Sequence, residues 1–205
     1  MIVERIAALL IAASTRLLTG AQPRWLGCVP CDTQRIYFAN HTSHVDFLLI
    51  WSVLPGRLRQ RTRPVAALDY WNHGTLRRYV AAHVFRGVLV SRGHADRVHN
   101  PIEVMLQALD KGASLILFPE GTRGPGREVQ LFKQGLYHLA EARPDVELVP
   151  VWIDNSYRVM PKGLPLPIPL LCSVAFGKPV RLEPDEQKPE FLVRTRQLLV
   201  ELGEI

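Results

Sequence analysis

The strongest constraint in this sequence is a rhythm. From residue 35 onward, β-rich apolar runs at 35–39, 65–68, 87–91, 113–118, 148–154 and 173–176 alternate with helical patterns at 47–53, 75–85, 101–110 and 133–142. A last helix is expected over 189–202. Such alternation predicts an α/β fold with a mostly parallel central sheet flanked by helices, because each parallel pair needs a crossover whose helix covers a face of the sheet. Functional groups in such folds gather at the carboxyl ends of strands. The 205 residues bury a sizeable core, and no repeat or low-complexity linker divides them. The reading separates only residues 1–30, an N-terminal amphipathic membrane-associating helical segment, from an α/β domain over 31–205.

Within that first segment, Ile2, Ile6, Leu9, Leu10, Ala13 and Leu17 recur at helical spacing. Residues 6–13 are continuously apolar but too short to cross a bilayer, which needs about 20 such residues. The stripe suits a helix lying on a membrane surface, or equally one packed on the domain. Glu4 offsets Arg5, and no A-x-A site precedes Pro23, both of which argue against a secretion signal. Cys28, Cys31 and Cys172 are too few for a disulfide framework, and one C-x-x-C supplies half a structural zinc site; the thiols read as reduced and cytosol-facing.

The charge is lopsided. The net +6 divides into 13 Arg against 5 acids over residues 1–100, and 12 basic residues against 14 acids over 101–205. Twenty of the 25 basic residues are Arg, whose planar fork suits phosphate, so the first half wants an anionic partner. Field alone does not separate nucleic acid, anionic lipid and a phosphorylated substrate. Arg57, Arg59, Arg61 and Arg63 alternate through an expected loop after Pro55-Gly56, dense enough for a phosphate contact. The run LPLPIPLLC at 164–172 cannot be a central strand, since alternate residues lack an amide N–H. It reads as an extended surface loop or an apolar path for an acyl chain.

Two stretches carry chemistry. The first strand runs into Asn40-His41-Thr42-Ser43-His44-Val45-Asp46. On one continuous helix, His41 and Asp46 would point about 140° apart. With Ser43 as N-cap, Asp46 takes the third helical position and points back at His41. A carboxylate on one imidazole nitrogen orients the ring and leaves the other nitrogen as a general base. A capping box with a bystander histidine explains the same spacing. A metal site lacks a fourth ligand. The second stretch ends the most hydrophobic strand in Phe118-Pro119-Glu120-Gly121-Thr122-Arg123-Gly124, an arginine-bearing glycine turn suited to an anion. It is not a Walker A loop, because Arg127-Glu128 stands where Lys-Ser or Lys-Thr is required.

Together, N-H-x-S-x-x-D at 40–46 and F-P-E-G-T-R at 118–123 resemble the glycerolipid acyltransferase family, which contains bacterial 1-acyl-glycerol-3-phosphate acyltransferase. Blocks at 85–92, 132–135 and 149–151 look like further family motifs in the right order. The resemblance implies an O-acyltransferase in which His41, backed by Asp46, deprotonates an acceptor hydroxyl that attacks an acyl-CoA or acyl carrier protein thioester directly. It implies that Arg92, Glu120, Gly121, Thr122, Arg123 and Lys133 hold the acceptor phosphate. No metal and no cofactor beyond the acyl donor are expected. The first acceptor implied is a lysophospholipid, 1-acyl-glycerol 3-phosphate, giving phosphatidic acid; glycerol 3-phosphate, another lysophospholipid or a lyso-aminolipid are the alternatives. A noncatalytic anionic-lipid-binding or nucleic-acid-binding module is the competing class, and nucleic acid is not the expected partner. Ser91, His44 and Gly124 depart from the family's usual residues. Drawing an acyl chain of about 15 methylenes into water costs about 12 kcal/mol. The enzyme is therefore expected at an anionic membrane surface, on the cytoplasmic face of the inner membrane, as a peripheral or monotopic protein.

Overall fold

The computed structural model describes residues 2–71, 74–91, 100–124, 126, 128–155 and 171–205. In chain order its elements are α1 (Ile2–Thr19), β1 (Gln22–Trp25), β2 (Arg35–Ala39), α2 (Asp46–Val53), α3 (Gly56–Arg61), β3 (Thr62–Ala67), α4 (Leu68–Trp71) and α5 (Thr75–Tyr79). A π-helical turn at Val80–Val84 follows, then β4 (Val88–Val90), α6 (Pro101–Asp110), β5 (Ser114–Leu117), α7 (Gly135–Ala142), β6 (Glu147–Ile153), β7 (Ser173–Phe176) and α8 (Lys188–Leu202).

The strands form one seven-stranded sheet in the order β1-β7-β6-β2-β5-β3-β4. Neighbours run parallel except β6 and β7. The fold is the expected α/β class. Strand β2 lies at the centre, with all five residues buried. Tyr37 and Ala39 pack on one side with Leu49, Ile50 and Trp51 of α2 and Phe176 of β7. Ile36 and Phe38 pack on the other with Met105 of α6, Leu136 of α7 and Phe191 of α8. Burial on both faces is why β2 reads as a continuous apolar run rather than an alternating one.

Several expectations are corrected. Strand β1 was hidden in the sequence because Gln22-Pro23-Arg24-Trp25 looks unlike a strand. It sits on the sheet edge, paired only with β7, where proline's missing N–H is tolerated. The stretch set apart up to residue 30 therefore also contributes a strand. The arginine stretch is no loop: 56–61 is helix α3, and Arg63 lies in β3. Arg59 stacks over Trp51 at 5.3 Å and donates to the Ser52 carbonyl, while Arg57 pairs with Asp32 at 3.2 Å. At least those two guanidinium groups serve the fold. Helix α2 begins at Asp46 with Val45 as N-cap, so Ser43 is not the cap and Asp46 is the first, not the third, helical residue. The 164–170 part of the proline-rich run and Arg92 lie outside the described residues.

Helix α1 turns Ala7, Ala8, Ile11 and Ala12 toward the core shared with α2. It exposes Ile2 (75%), Ile6, Leu9, Leu10 and Leu17 (85%), the apolar stripe read from the sequence. Small residues thus let the helix approach the domain while the larger ones face out. No helix among the described residues is long and apolar enough to cross a membrane.

Register brings the site together. Phe38 lies beside Leu117 of β5 and Pro150 of β6, so β2 and β5 end at the same height. Just past β2, the buried Asn40 amide closes a pair of bonds on β6: its Nδ2 donates to the Ile153 carbonyl at 3.0 Å and its Oδ1 accepts the Ile153 N–H at 2.8 Å. Asn40→Ala leaves both backbone groups without these partners and is expected to cost about 2–4 kcal/mol in urea unfolding. Asn40→Asp should not recover that loss, because the carboxylate still accepts from the Ile153 N–H but sets its other oxygen against the Ile153 carbonyl in a buried site.

Candidate active site

The turn after β2 and the turn after β5 face each other across one cavity of about 650 Å³. The first delivers His41. Its Nδ1 lies 2.9 Å from Asp46 Oδ2, and the same oxygen accepts the backbone N–H groups of Thr42 (2.7 Å) and Ser43 (2.8 Å). Asp46 is completely buried, and its Oδ1 has no hydrogen-bond partner among the described residues. Three donors on one oxygen fix the carboxylate, which then fixes the ring. A carboxylate only accepts, so Nδ1 carries the hydrogen, and in the neutral ring Nε2 then holds the lone pair. The imidazole stacks on Phe118 at 4.2 Å and lines the cavity. The sequence argument brought this pair together through an N-cap. In the structure the same encounter comes from a turn at 43–45 that hands Asp46 to the start of α2.

The second turn supplies the cationic side. Gly121, Thr122 and Arg123 line the cavity with Lys133. Gly121 has φ +71, and the Lys133 Nζ lies 2.9 Å from where a Cβ on Gly121 would sit, so the lysine lies against the turn. The Lys133 N–H donates to the Pro119 carbonyl at 2.8 Å, tying the start of the next segment to the turn. Arg123 is exposed.

Glu120 differs from its neighbours in the motif. It is only 3% exposed and does not line the cavity. Its Oε1 accepts the His41 N–H at 2.7 Å and its Oε2 accepts the Gln130 N–H at 2.8 Å. Burial pushes its carboxyl above the ordinary value, an effect those two N–H groups partly offset. A carboxylate is a poor ligand for phosphate, and the structure gives it internal work instead. The sequence held one signal of this, since an acid three residues before Arg123 opposes anion binding. Gln130 was not singled out by sequence at all.

Much of the remaining wall is apolar, with Phe47, Pro64, Val65, Trp71, Met105 and Leu136 lining it. The cavity is thus cationic and polar at His41 and Arg123 and greasy beyond, which fits an amphipathic molecule.

Residues 25–154 match a family model described as Acyltransferase, and the chain belongs to that family. Its relatives carry a more particular description. A 1-acyl-sn-glycerol-3-phosphate acyltransferase of Cocos nucifera is 33% identical over 140 residues, 63% of this chain and 43% of the relative. One of Escherichia coli strain K12 is 28% identical over 128 residues, 59% of this chain and 47% of the relative. The solved 1-acyl-sn-glycerophosphate acyltransferase of Thermotoga maritima superposes with a TM-score of 0.77 at 20% identity, over 98% of this chain and 78% of that one. The chain spans about half the length of the curated relatives it matches.

His44, the neighbouring imidazole, also lines the cavity. Burial, then the positive charge of Arg123, holds its pKa below the ordinary 6.5; His41 and Arg77 push the same way and Asp46 opposes them. A depressed pKa means that the unfolded chain takes up this proton first, so stability falls as pH drops below 6.5. His44→Gln should flatten the loss of urea stability between about pH 7 and pH 5. An unchanged slope would show that His44 is not the group responsible.

Proposed function

We propose that this protein transfers a fatty acyl group to the free hydroxyl of a lysophospholipid, with 1-acyl-glycerol 3-phosphate as acceptor and phosphatidic acid as product. The observation that carries the reading is the His41–Asp46 pair facing a cavity with Arg123 and Lys133 at one end and an apolar wall at the other. The activity of the similar 1-acyl-sn-glycerol-3-phosphate acyltransferases supports the acceptor.

The acceptor's phosphate lies against Arg123, Lys133 and Thr122, and Arg92 remains a proposed further contact. His41 Nε2 takes the acceptor hydroxyl proton as the oxygen attacks the thioester carbonyl of acyl-CoA or an acyl carrier protein. The tetrahedral intermediate collapses with cleavage of the C–S bond, and the imidazolium returns its proton to the departing thiolate. Asp46 stabilises the imidazolium formed in between. General-base catalysis of this kind contributes about 10²- to 10⁴-fold; positioning supplies much of the rest.

The outward stripe of α1 supports membrane association. Its exposed Ile and Leu side chains, together with Leu76 on α5, suit burial at the boundary between head groups and acyl chains. The lysophospholipid then reaches the cavity without passing through water.

Thiol release from acyl-CoA with lysophosphatidic acid tests the chemistry. His41→Ala and Asp46→Ala should lower kcat about 10²- to 10⁴-fold, while His44→Ala stays active. Arg123→Ala should raise the acceptor KM about tenfold or more, through loss of a charge-assisted contact. Full activity in His41→Ala overturns the mechanism. For the membrane, Ile6→Gln with Leu10→Gln and Leu17→Gln should reduce flotation with anionic phosphatidylglycerol vesicles while leaving the fold intact. Undiminished flotation would remove α1 from the docking surface.

A further inference from the structure

Helix α8 lies beyond the matched acyltransferase stretch, yet it is bonded to the segment that holds His41. The His41 main chain is gripped on both sides: its N–H donates to Glu120 Oε1 at 2.7 Å, and its carbonyl accepts the Gly124 N–H at 2.8 Å. The other Glu120 oxygen accepts the Gln130 N–H at 2.8 Å. That N–H belongs to the same planar peptide unit as the Val129 carbonyl, which points the opposite way. The Val129 carbonyl accepts from Arg196 Nε at 3.1 Å and from Nη2 of the same guanidinium, and Nε also reaches the Gln130 carbonyl at 3.3 Å.

We propose that Arg196 is a positioning residue for His41, acting through the Val129–Gln130 peptide and the buried Glu120 carboxylate. The inference rests on the general-base reading of His41 and deepens it. Two physical effects combine. The guanidinium fixes the peptide plane from the α8 side, so the Gln130 N–H meets Glu120 at a set place. A cation on the carbonyl also polarises the peptide and strengthens its N–H as a donor. Glu120, held by one oxygen, presents the other to the His41 N–H. Asp46 and Phe118 orient the imidazole ring; this chain of bonds sets where the His41 backbone stands, and hence where Nε2 sits in the cavity. Displacements well under 1 Å matter at a reacting atom.

Arg196→Met keeps an unbranched side chain of similar reach and removes the donors. It should lower kcat about three- to tenfold in the thiol-release assay, with KM for acyl-CoA and lysophosphatidic acid changed less than about twofold. Glu120→Gln, which can accept only one of the two N–H groups, should lower kcat about ten- to a hundredfold. The double variant should match Glu120→Gln within about twofold, since both act on one peptide. Each variant is compared below its own melting transition, followed by circular dichroism. Wild-type kcat in Arg196→Met, a loss confined to KM, or effects that multiply in the double variant would overturn the proposal. If Glu120→Gln does not fold, the kcat-against-KM split in Arg196→Met alone decides. His41→Ala keeps the two failures apart: activity there defeats the general-base reading, whereas an inactive His41→Ala beside a normal Arg196→Met defeats only the role of α8.

Discussion

Because β2 and β5 run parallel and in register, the chain leaves both strands at the same end of the sheet. Asn40 then fastens the end of β2 to β6, and Lys133 fastens the segment before α7 to the turn after β5. Each turn starts from a buried strand that packing holds on both faces. The site's loops therefore inherit the rigidity of the sheet, and residues distant in sequence meet at hydrogen-bond range. An antiparallel arrangement of the same two strands would put the two turns at opposite ends.

Two buried carboxylates divide the work at that junction. Asp46 and Glu120 lie inside the protein, where an isolated charge would be costly, and each is stabilised by backbone N–H groups rather than by a cation. Asp46 steadies an imidazole; Glu120 joins two backbone segments. Using amides for this leaves Arg123 and Lys133 on the cavity wall. The arginines of α3 show the opposite economy, with Arg59 spent on Trp51.

Much of this is legible in the sequence. The strands at 35–39 and 173–176 and the helix at 101–110 coincide with the sequence reading, because apolar runs bounded by turn residues leave little choice. Strand β1 was invisible since an edge strand need not look apolar. Helix α3 was hidden because proline, glycine and dense arginine imitate a loop, although Arg59 and Arg57 have folded partners. The His41–Asp46 encounter followed from spacing, but its mechanism did not: the sequence named a cap at Ser43, whereas the structure uses a turn. Glu120 was grouped with the expected phosphate ligands around it because a motif conveys proximity, not direction. Its bond to His41 spans 79 residues, and the bonds from Arg196 to 129 and 130 span 67 and 66; no local pattern encodes such separations.

Gly121 has a consequence of its own. It occupies the left-handed region at φ +71, and the space beside its Cα is filled by the aliphatic end and ammonium of Lys133. Any side chain there would both strain the turn and evict the cation from its resting place. The electrostatics of the pocket are therefore encoded partly in an uncharged residue, and a survey of this protein's charge determinants that counted only ionisable groups would overlook one of them.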